Sequence, residues 1–351
     1  MTESAEVIGG VDTHAAVHCA AVIDEQGRPL GCRQFHANQK GYRELLAWMR
    51  RLGKVASVGV EGAGAYGAGL ARYLEASGVP VFEVARPDRR MRRQAGKSDP
   101  IDAEAAARAV LAGKATRPKS ADGRIEAMRA LRVARNGAIK ARTAAVNTLR
   151  SLIVAAPEPL RHRLAGSRSQ SAVIATCARL RPDLARLGDP SEATKLALRH
   201  VALRAQALGA ECRELDQRLR DLVAAAAPRT LRVFALGSET TAALLVCLGD
   251  NPDRLRSEAA FARLCGVAPI PASSGNTRRH RLHRGGDRSA NRALHIAVVV
   301  RMRYCERTRA YVARRTAEGL SKPEIIRCLK RYLAREVFRT LQADYVASMT
   351  T

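Results

Sequence analysis

The order of apolar runs in the first 115 residues is the feature that most limits what this chain can fold into. Three β-rich runs come first, in the order EVIGGVDTH, AAVHCAAVID and CRQFHA. Helical and strand-like segments then alternate through GYRELLAWMRRL, VASVGVEG, YGAGLARYLEASG, VPVFEVAR and DPIDAEAAARAVL. A three-stranded meander followed by this alternation predicts an α/β domain.

The same order is that of the ribonuclease H-like fold, which we assign to residues 1–120. Two Ala- and Arg-rich segments, 124–155 and 191–227, repeat apolar residues with a helical period. They predict a helical region over residues 121–228, either an antiparallel hairpin or coiled coil that joins protomers, or two core helices of a bundle. Residues 229–351 form a third, mainly helical region.

The charge of the chain indicates a polyanionic partner. Sixty Lys and Arg residues face 33 acids, for a net charge of +27. Neutralising phosphates releases condensed counterions, so nucleic acid is the expected partner; a cationic surface without a specific partner is the alternative. The basic residues concentrate in two segments, and His280 and His283 add to the second. We predict nucleic-acid contacts from Arg86, Arg89, Arg90, Arg92, Arg93 and Lys97, and from Arg278, Arg279, Arg281, Arg284, Arg288 and Arg292.

Four acids occupy positions from which they could surround metal ions. Asp12 and Glu61 end two predicted strands, and Asp99 and Asp102 lie three residues apart on one face of a predicted helix. Oxygen ligands suit Mg²⁺ or Mn²⁺. Each acid alone is more typical of a surface charge or a cap, and Asp99 could cap its helix ahead of Pro100. His14 and His18 are placed on a strand and are not interpreted as metal ligands.

The remaining chemistry-bearing residues give weaker signals. Ser273, Ser274 and Gly275 form a turn before the second Arg cluster, where a serine is ordinarily a turn residue and alternatively a nucleophile toward phosphorus. Eight Cys residues without a CxxC pair exclude a zinc ribbon and a disulfide framework. Without a signal sequence or a membrane-spanning run, we expect a cytoplasmic protein, associated with the nucleoid when bound to DNA.

An ordered set of motifs resembles a known family. GVDTH, GVEGAGAYG, KSDPIDAEAAARA, GVAPIPASSG and RGGDRSANRALH are similar to the DEDD transposases of the IS110 insertion-sequence family. The resemblance implies a domain like that of the Holliday-junction resolvase RuvC at the N-terminus and a transposase domain at the C-terminus. It implies Mg²⁺ binding by Asp12, Glu61, Asp99 and Asp102, and a covalent link from Ser274 to DNA, with Ser273 as the adjacent competitor.

The resemblance also implies partners. Family members assemble as dimers and tetramers, with the acids of one protomer and the serine of another in one active site. Some are guided by a structured bridge RNA that pairs with donor and target DNA. We therefore expect a site-specific recombinase of a mobile element. The alternatives are a metal-dependent junction nuclease that uses water as nucleophile, and a non-catalytic nucleic-acid-binding protein.

Overall fold

A five-stranded mixed sheet forms the N-terminal part of the fold. The computed structural model describes residues 5–84, 98–118, 123–165, 169–274 and 280–349. The strands of the sheet are β1 (Glu6–Thr13), β2 (Val17–Asp24), β3 (Pro29–His36), β4 (Lys54–Glu61) and β5 (Val81–Val84). Their order is β3-β2-β1-β4-β5, with antiparallel pairing from β1 to β3 and parallel pairing of β1, β4 and β5. This confirms the predicted ribonuclease H-like architecture.

Helices cover both faces of this sheet. Helices α1 (Gln39–Leu52) and α2 (Ala68–Ala76) pack on one face, and α3 (Asp99–Leu111) packs on the other. Alternation along β1 divides its side chains: Val7 and Val11 join the core with α1 and α2, whereas Ile8 packs with Ala107 of α3. Asp12 is an even number of residues from Ile8 on the same strand, so both side chains point to the face of the sheet that α3 covers.

Residues 127–242 form a compact unit of their own. Helix α4 (Arg124–Ala155) is followed by α5 (Glu158–Ala165), α6 (Gln170–Ala178), α7 (Pro190–Ala226) and the short α8 (Pro228–Leu231). Arg135, early in α4, bonds to Asp216, late in α7, at 2.5 Å. Leu149, late in α4, shares a buried cluster with Leu198, early in α7. The two long helices are therefore antiparallel, as the predicted hairpin requires.

The short helices also enter the core of this unit. Leu160 and Leu164 of α5 and Ile174 and Cys177 of α6 are buried in the cluster that contains Leu149 and Leu198. The region therefore combines the two predicted arrangements, because a long antiparallel pair is packed against two short helices. Its role in joining protomers stays a prediction, as do the boundaries at residues 120 and 228.

The C-terminal residues are mainly helical, as predicted, and those from Ala243 onward belong to the same compact unit as the sheet. The elements are α9 (Ser238–Leu248), α10 (Glu258–Leu264), a small hairpin of β6 (Ile270–Pro271) and β7 (His280–Arg281), α11 (Arg288–Tyr304), α12 (Glu306–Ala317) and α13 (Lys322–Met349). Phe261 of α10 is fully buried and packs near Phe338 of α13, with ring centroids 6.4 Å apart. No helix in the described ranges is long and apolar enough to cross a bilayer.

Candidate metal centre

Two glycines allow α3 to lie directly on the sheet. Gly10 of β1 pairs with Gly59 of the parallel strand β4. A Cβ atom on Gly10 would lie 2.1 Å from the carbonyl oxygen of Ala103, and one on Gly59 would lie 2.7 Å from that of Ala106. Any side chain at either position would force the helix away from the strands. The glycines therefore bring the helix backbone into contact with the strands.

The acids follow from this contact. Asp12 and Glu61 come two residues after Gly10 and Gly59, so strand alternation directs them to the same face at neighbouring carboxyl ends of parallel strands. Asp99 is the first residue of α3, and Asp102 lies in its first turn. Asp12 and Asp102 are buried, with 7% and 6% of their surface exposed, whereas Asp99 is partly exposed. The first turn of α3 therefore lies at the carboxyl ends of β1 and β4, and the side chains that these three elements bring there are mainly acidic.

The geometry adds His14 to the acids. Its Nε2 atom lies 3.3 Å from Asp12 Oδ2 and 3.5 Å from Asp99 Oδ1. Ligand atoms of Asp12, His14 and Asp99 all lie within 4.8 Å of one another, a spacing that one metal ion could bridge. Glu61 and Asp102 are not members of this three-residue set.

The placement of His14 on a strand was wrong. Strand β1 ends at Thr13, and His14 begins the turn to β2, where its N–H donates to the carbonyl of Val17 at 3.2 Å. Strand alternation therefore does not direct its side chain. His18, which does lie on β2, is fully buried on the other face of the sheet and stacks on Tyr42 at 5.8 Å. The sequence signal for His14 was its place just after Asp12, in a turn.

Electrostatics single out Asp12 among the acids. Burial raises the pKa of its carboxyl group above the usual 3.8, and the charges of Asp102 and Asp99 raise the pKa further. The nearby His14 opposes this by lowering the pKa. Because these carboxylates are buried, solvent screens their mutual repulsion only weakly. A bound cation relieves that repulsion. The cluster therefore fits a divalent metal ion, with Asp12, Asp99 and His14 as the nearest donors.

The capping alternative for Asp99 was wrong. Helix α3 begins at Asp99 itself, and Ser98 occupies the N-cap position without a side-chain hydrogen bond to the helix. Pro100 follows within the first turn, where its missing N–H costs no helical hydrogen bond. The Asp99 carboxylate is therefore not used as a cap and is oriented toward His14.

The other predicted site residues are described only in part. Arg86, Arg89, Arg90, Arg92, Arg93, Lys97, Arg278 and Arg279 lie outside the described residues. The described members of the second cluster, Arg281, Arg284, Arg288 and Arg292, are all exposed. Ser273 and Ser274 are exposed as well and come two and three residues after the end of strand β6. Two of these arginines, Arg288 and Arg292, lie on the first turns of α11.

Comparison with protein families gives two matches. Residues 9–156 match a family model described as the DEDD transposase of IS110, and residues 216–313 match a second model, described as the transposase of the IS116/IS110/IS902 family. The first match covers β1 from residue 9 onward, the other strands of the sheet, α3 and the four acids. The second includes β6, β7 and Ser274, which lies between them in the chain. Comparison with curated proteins finds no match.

Proposed function

The chain belongs to the IS110 family of transposases, and from this premise we propose that it excises and inserts its own mobile element by metal-dependent cleavage and rejoining of DNA. The observation that carries the proposal is the cluster of Asp12, His14 and Asp99, with Asp102 and Glu61 delivered to the same end of α3. The net charge of +27 suits a DNA substrate.

The four acids and His14 would hold the metal. When bound, a divalent ion polarises a phosphoryl oxygen and neutralises charge that develops on it. Mg²⁺ or Mn²⁺ suits the carboxylate donors, and Mn²⁺ accepts an imidazole more readily than Mg²⁺ does. The buried position of Asp12 keeps its carboxylate fixed, because β1 and α3 enclose it. Asp99 is more open and would face the incoming DNA backbone.

We assign strand attack to Ser274. Its Oγ would lose a proton to solvent and form a bond to phosphorus as the bond from phosphorus to a sugar oxygen breaks; the leaving sugar oxygen takes up a proton. The phosphoserine link conserves the bond energy, so a second hydroxyl can reverse the step and rejoin the strands. Ser274 is exposed, and the exposed arginines Arg281 of β7 and Arg288 of α11 follow it closely in the chain; both observations support this role.

The test is a denaturing-gel assay for a protein–DNA adduct with Mg²⁺ and DNA that carries the element ends. We expect Ser274→Ala to lose the adduct by more than about a thousandfold, as for other essential nucleophiles. Ser273→Ala is the matched control and should retain it. Full activity in both variants would remove the serine from the mechanism, and cleavage without an adduct would favour a nuclease that uses water.

A second arm of the same assay tests the metal centre. Asp99→Asn should abolish cleavage and leave DNA binding intact, because Asp99 is partly exposed and is not a core residue. Retained cleavage would contradict the metal assignment. Wild-type protein that binds DNA without cleaving it under any divalent metal would favour a binding-only protein.

We further infer a structured guide RNA and a dimer or tetramer as partners. Two separate Arg-rich segments suit two nucleic acids, and the long α4–α7 hairpin is typical of an oligomerisation device. RNA that copurifies with the protein should map next to the gene in the element. Random cellular RNA in that fraction, or a monomer by light scattering, would contradict these inferences.

A further inference from the structure

A cavity lies beneath the hairpin that carries the candidate serine. Its volume is about 570 Å³, and it is bounded by the turn after α10, by β7 and the residues that follow it, and by the first half of α13. Its charged lining is dominated by the cations Arg281, Arg315, Arg327, Lys330 and Arg331, against the carboxylate of Glu324. Such a cavity favours an anion.

Several of these cations are already paired. Arg315 bonds to Glu318, Arg331 forms an ion pair with Glu258 at 2.7 Å, and Arg327 lies 3.8 Å from Glu324. These arginines border the cavity, but their charges are largely compensated by neighbouring acids. Lys330 differs from them in burial and in its partners.

Lys330 is a buried cation, with 6% of its surface exposed. Its ammonium group donates one hydrogen bond, to Oδ1 of Asn291 at 3.0 Å, and forms no ion pair with a carboxylate in the described ranges. An ammonium group has three donors, so two are left without an acceptor among the described residues. Burial lowers the pKa of Lys330, and the charge of Arg327 lowers it further. A buried charge of this kind is costly unless an anion compensates it.

Asn291 holds Lys330 in a defined orientation. Its side-chain N–H groups donate to the carbonyls of Cys265 at 3.1 Å and Gly266 at 2.8 Å. These two bonds leave Oδ1 as the atom that faces Lys330, so the amide cannot rotate without losing both. Asn291 belongs to the RGGDRSANRALH motif, and Gly266 borders the cavity. The motif thus connects the cavity wall to the buried cation.

The cavity lies close to Ser274 along the chain. Pro269, His280 and Arg281 line it, and Ile270–Pro271 pair with His280–Arg281. Ser274 is three residues beyond Pro271, a distance of at most about 11 Å for an extended chain. His283 also lines the cavity, and its buried Nδ1 atom has no hydrogen-bond partner among the described residues. One DNA strand, with phosphates every 3.4 Å or so along the helix axis, could reach both places.

We propose that this cavity binds a DNA backbone phosphate next to the one that Ser274 attacks, with Lys330 as its buried cationic contact and Asn291 as the residue that positions Lys330. The inference rests on the proposed function, since it takes DNA as the substrate at Ser274. Lys330 is a positioning residue, because it holds a neighbouring phosphate and not the reacting atoms.

The test measures DNA binding against salt concentration in a Ser274→Ala background, so that it does not depend on cleavage. The probe is a generic DNA duplex, because a phosphate contact is independent of sequence. We expect Lys330→Met to weaken binding about tenfold and to reduce the slope of log K against log salt by about one. Lys330→Arg should retain the slope. Lys322→Met is the matched control: it removes an exposed lysine from the same helix, outside the cavity.

Thermal melting of each variant checks the fold, and Lys330→Gln replaces Lys330→Met if the latter does not fold. An unchanged affinity and slope in a folded neutral variant would overturn the proposal. So would an equal loss in Lys322→Met, which would indicate general charge alone. Failure of the serine assignment would leave these binding results unaltered and would appear instead in the gel assay, as an adduct in Ser274→Ala protein or as cleavage without an adduct.

Discussion

At the scale of single residues, Asp12 is a carboxyl group whose surroundings oppose its charge. It is buried, and both Asp99 and Asp102 act on it, so its folded-state pKa lies above the usual 3.8. At pH values between the unfolded-state pKa and the higher folded-state pKa, the folded protein holds a proton that the unfolded chain has lost. The free energy of unfolding therefore falls as pH rises through that interval, and the cost persists at neutral pH.

We predict that Asp12→Asn raises the melting temperature of the metal-free protein at neutral pH, because a neutral amide removes this repulsion. The variant should also lose the stabilisation that Mg²⁺ or Mn²⁺ gives the wild type. Melting curves from acidic to neutral pH, with and without metal, measure both effects. Glu25→Gln removes an exposed acid of the same domain and serves as control. A lower melting temperature at neutral pH would contradict the electrostatic account.

His14 shows what a residue-level prediction needs from the backbone. The acids could be chosen from the sequence because strand ends and helical spacing place them together. His14 could not be chosen in this way, because the direction of its side chain depends on where β1 ends. An error of one residue in the predicted strand changes the face of the sheet to which a side chain is assigned. The turn at His14 directs the ring back to Asp12 and Asp99.

At the scale of elements, the contact between α3 and the sheet determines the site. Gly10 and Gly59 are neighbours on parallel strands, and both lie under the helix backbone. The absence of side chains there allows the first turn of α3 to approach the strand ends. The candidate metal centre therefore depends on two residues that carry no functional group.

Gly10→Ala should displace α3, because its Cβ atom would lie 2.1 Å from the Ala103 carbonyl oxygen and 2.3 Å from the Ala107 nitrogen, both backbone atoms. We expect a loss of about 1–3 kcal/mol in the free energy of unfolding, the usual cost of overpacking, and weaker metal binding. Urea unfolding and metal titration measure these. Gly64→Ala is the matched control, with nothing within 4 Å of its Cβ position. Equal metal affinity in Gly10→Ala and wild type would refute this dependence.

At the scale of the whole molecule, the sheet and the C-terminal helices form one compact unit although the 127–242 unit separates them in sequence. Arg254 links them: its Nη1 atom lies 3.1 Å from Glu83 Oε2 on β5 and donates to the Arg117 carbonyl at 2.6 Å. Its side chain is 6% exposed. The acids and Ser274 therefore lie in regions of the chain that pack together.

Arg254→Gln should cost about 3–5 kcal/mol in the free energy of unfolding, because it leaves Glu83 without its partner in a partly buried position. Arg309→Gln, at an exposed position on α12, is the control and should change stability by less than about 0.5 kcal/mol. Chemical denaturation measures both. A neutral result for Arg254→Gln would show that the ion pair does not stabilise this packing.

The sequence by itself determined the architecture of the sheet domain and the placement of the acids at strand ends and in the first turn of α3, because both depend on local rules. Alternation, helical period and glycine turns predicted the strand and helix order, and strand ends with i, i+3 spacing predicted Asp12, Glu61, Asp99 and Asp102. The two long helices followed in the same way, but the sequence left open whether they form a hairpin or part of a bundle.

Only the tertiary structure decided what depends on contacts between distant segments. His14 beside the acids, the glycine pair beneath α3, the Arg254–Glu83 ion pair and the buried Lys330 held by Asn291 join residues up to 171 positions apart. No local sequence pattern predicts which of the 60 basic residues becomes buried, since burial results from packing of the whole chain. That is why the acids could be named from the sequence, and why Lys330 could not.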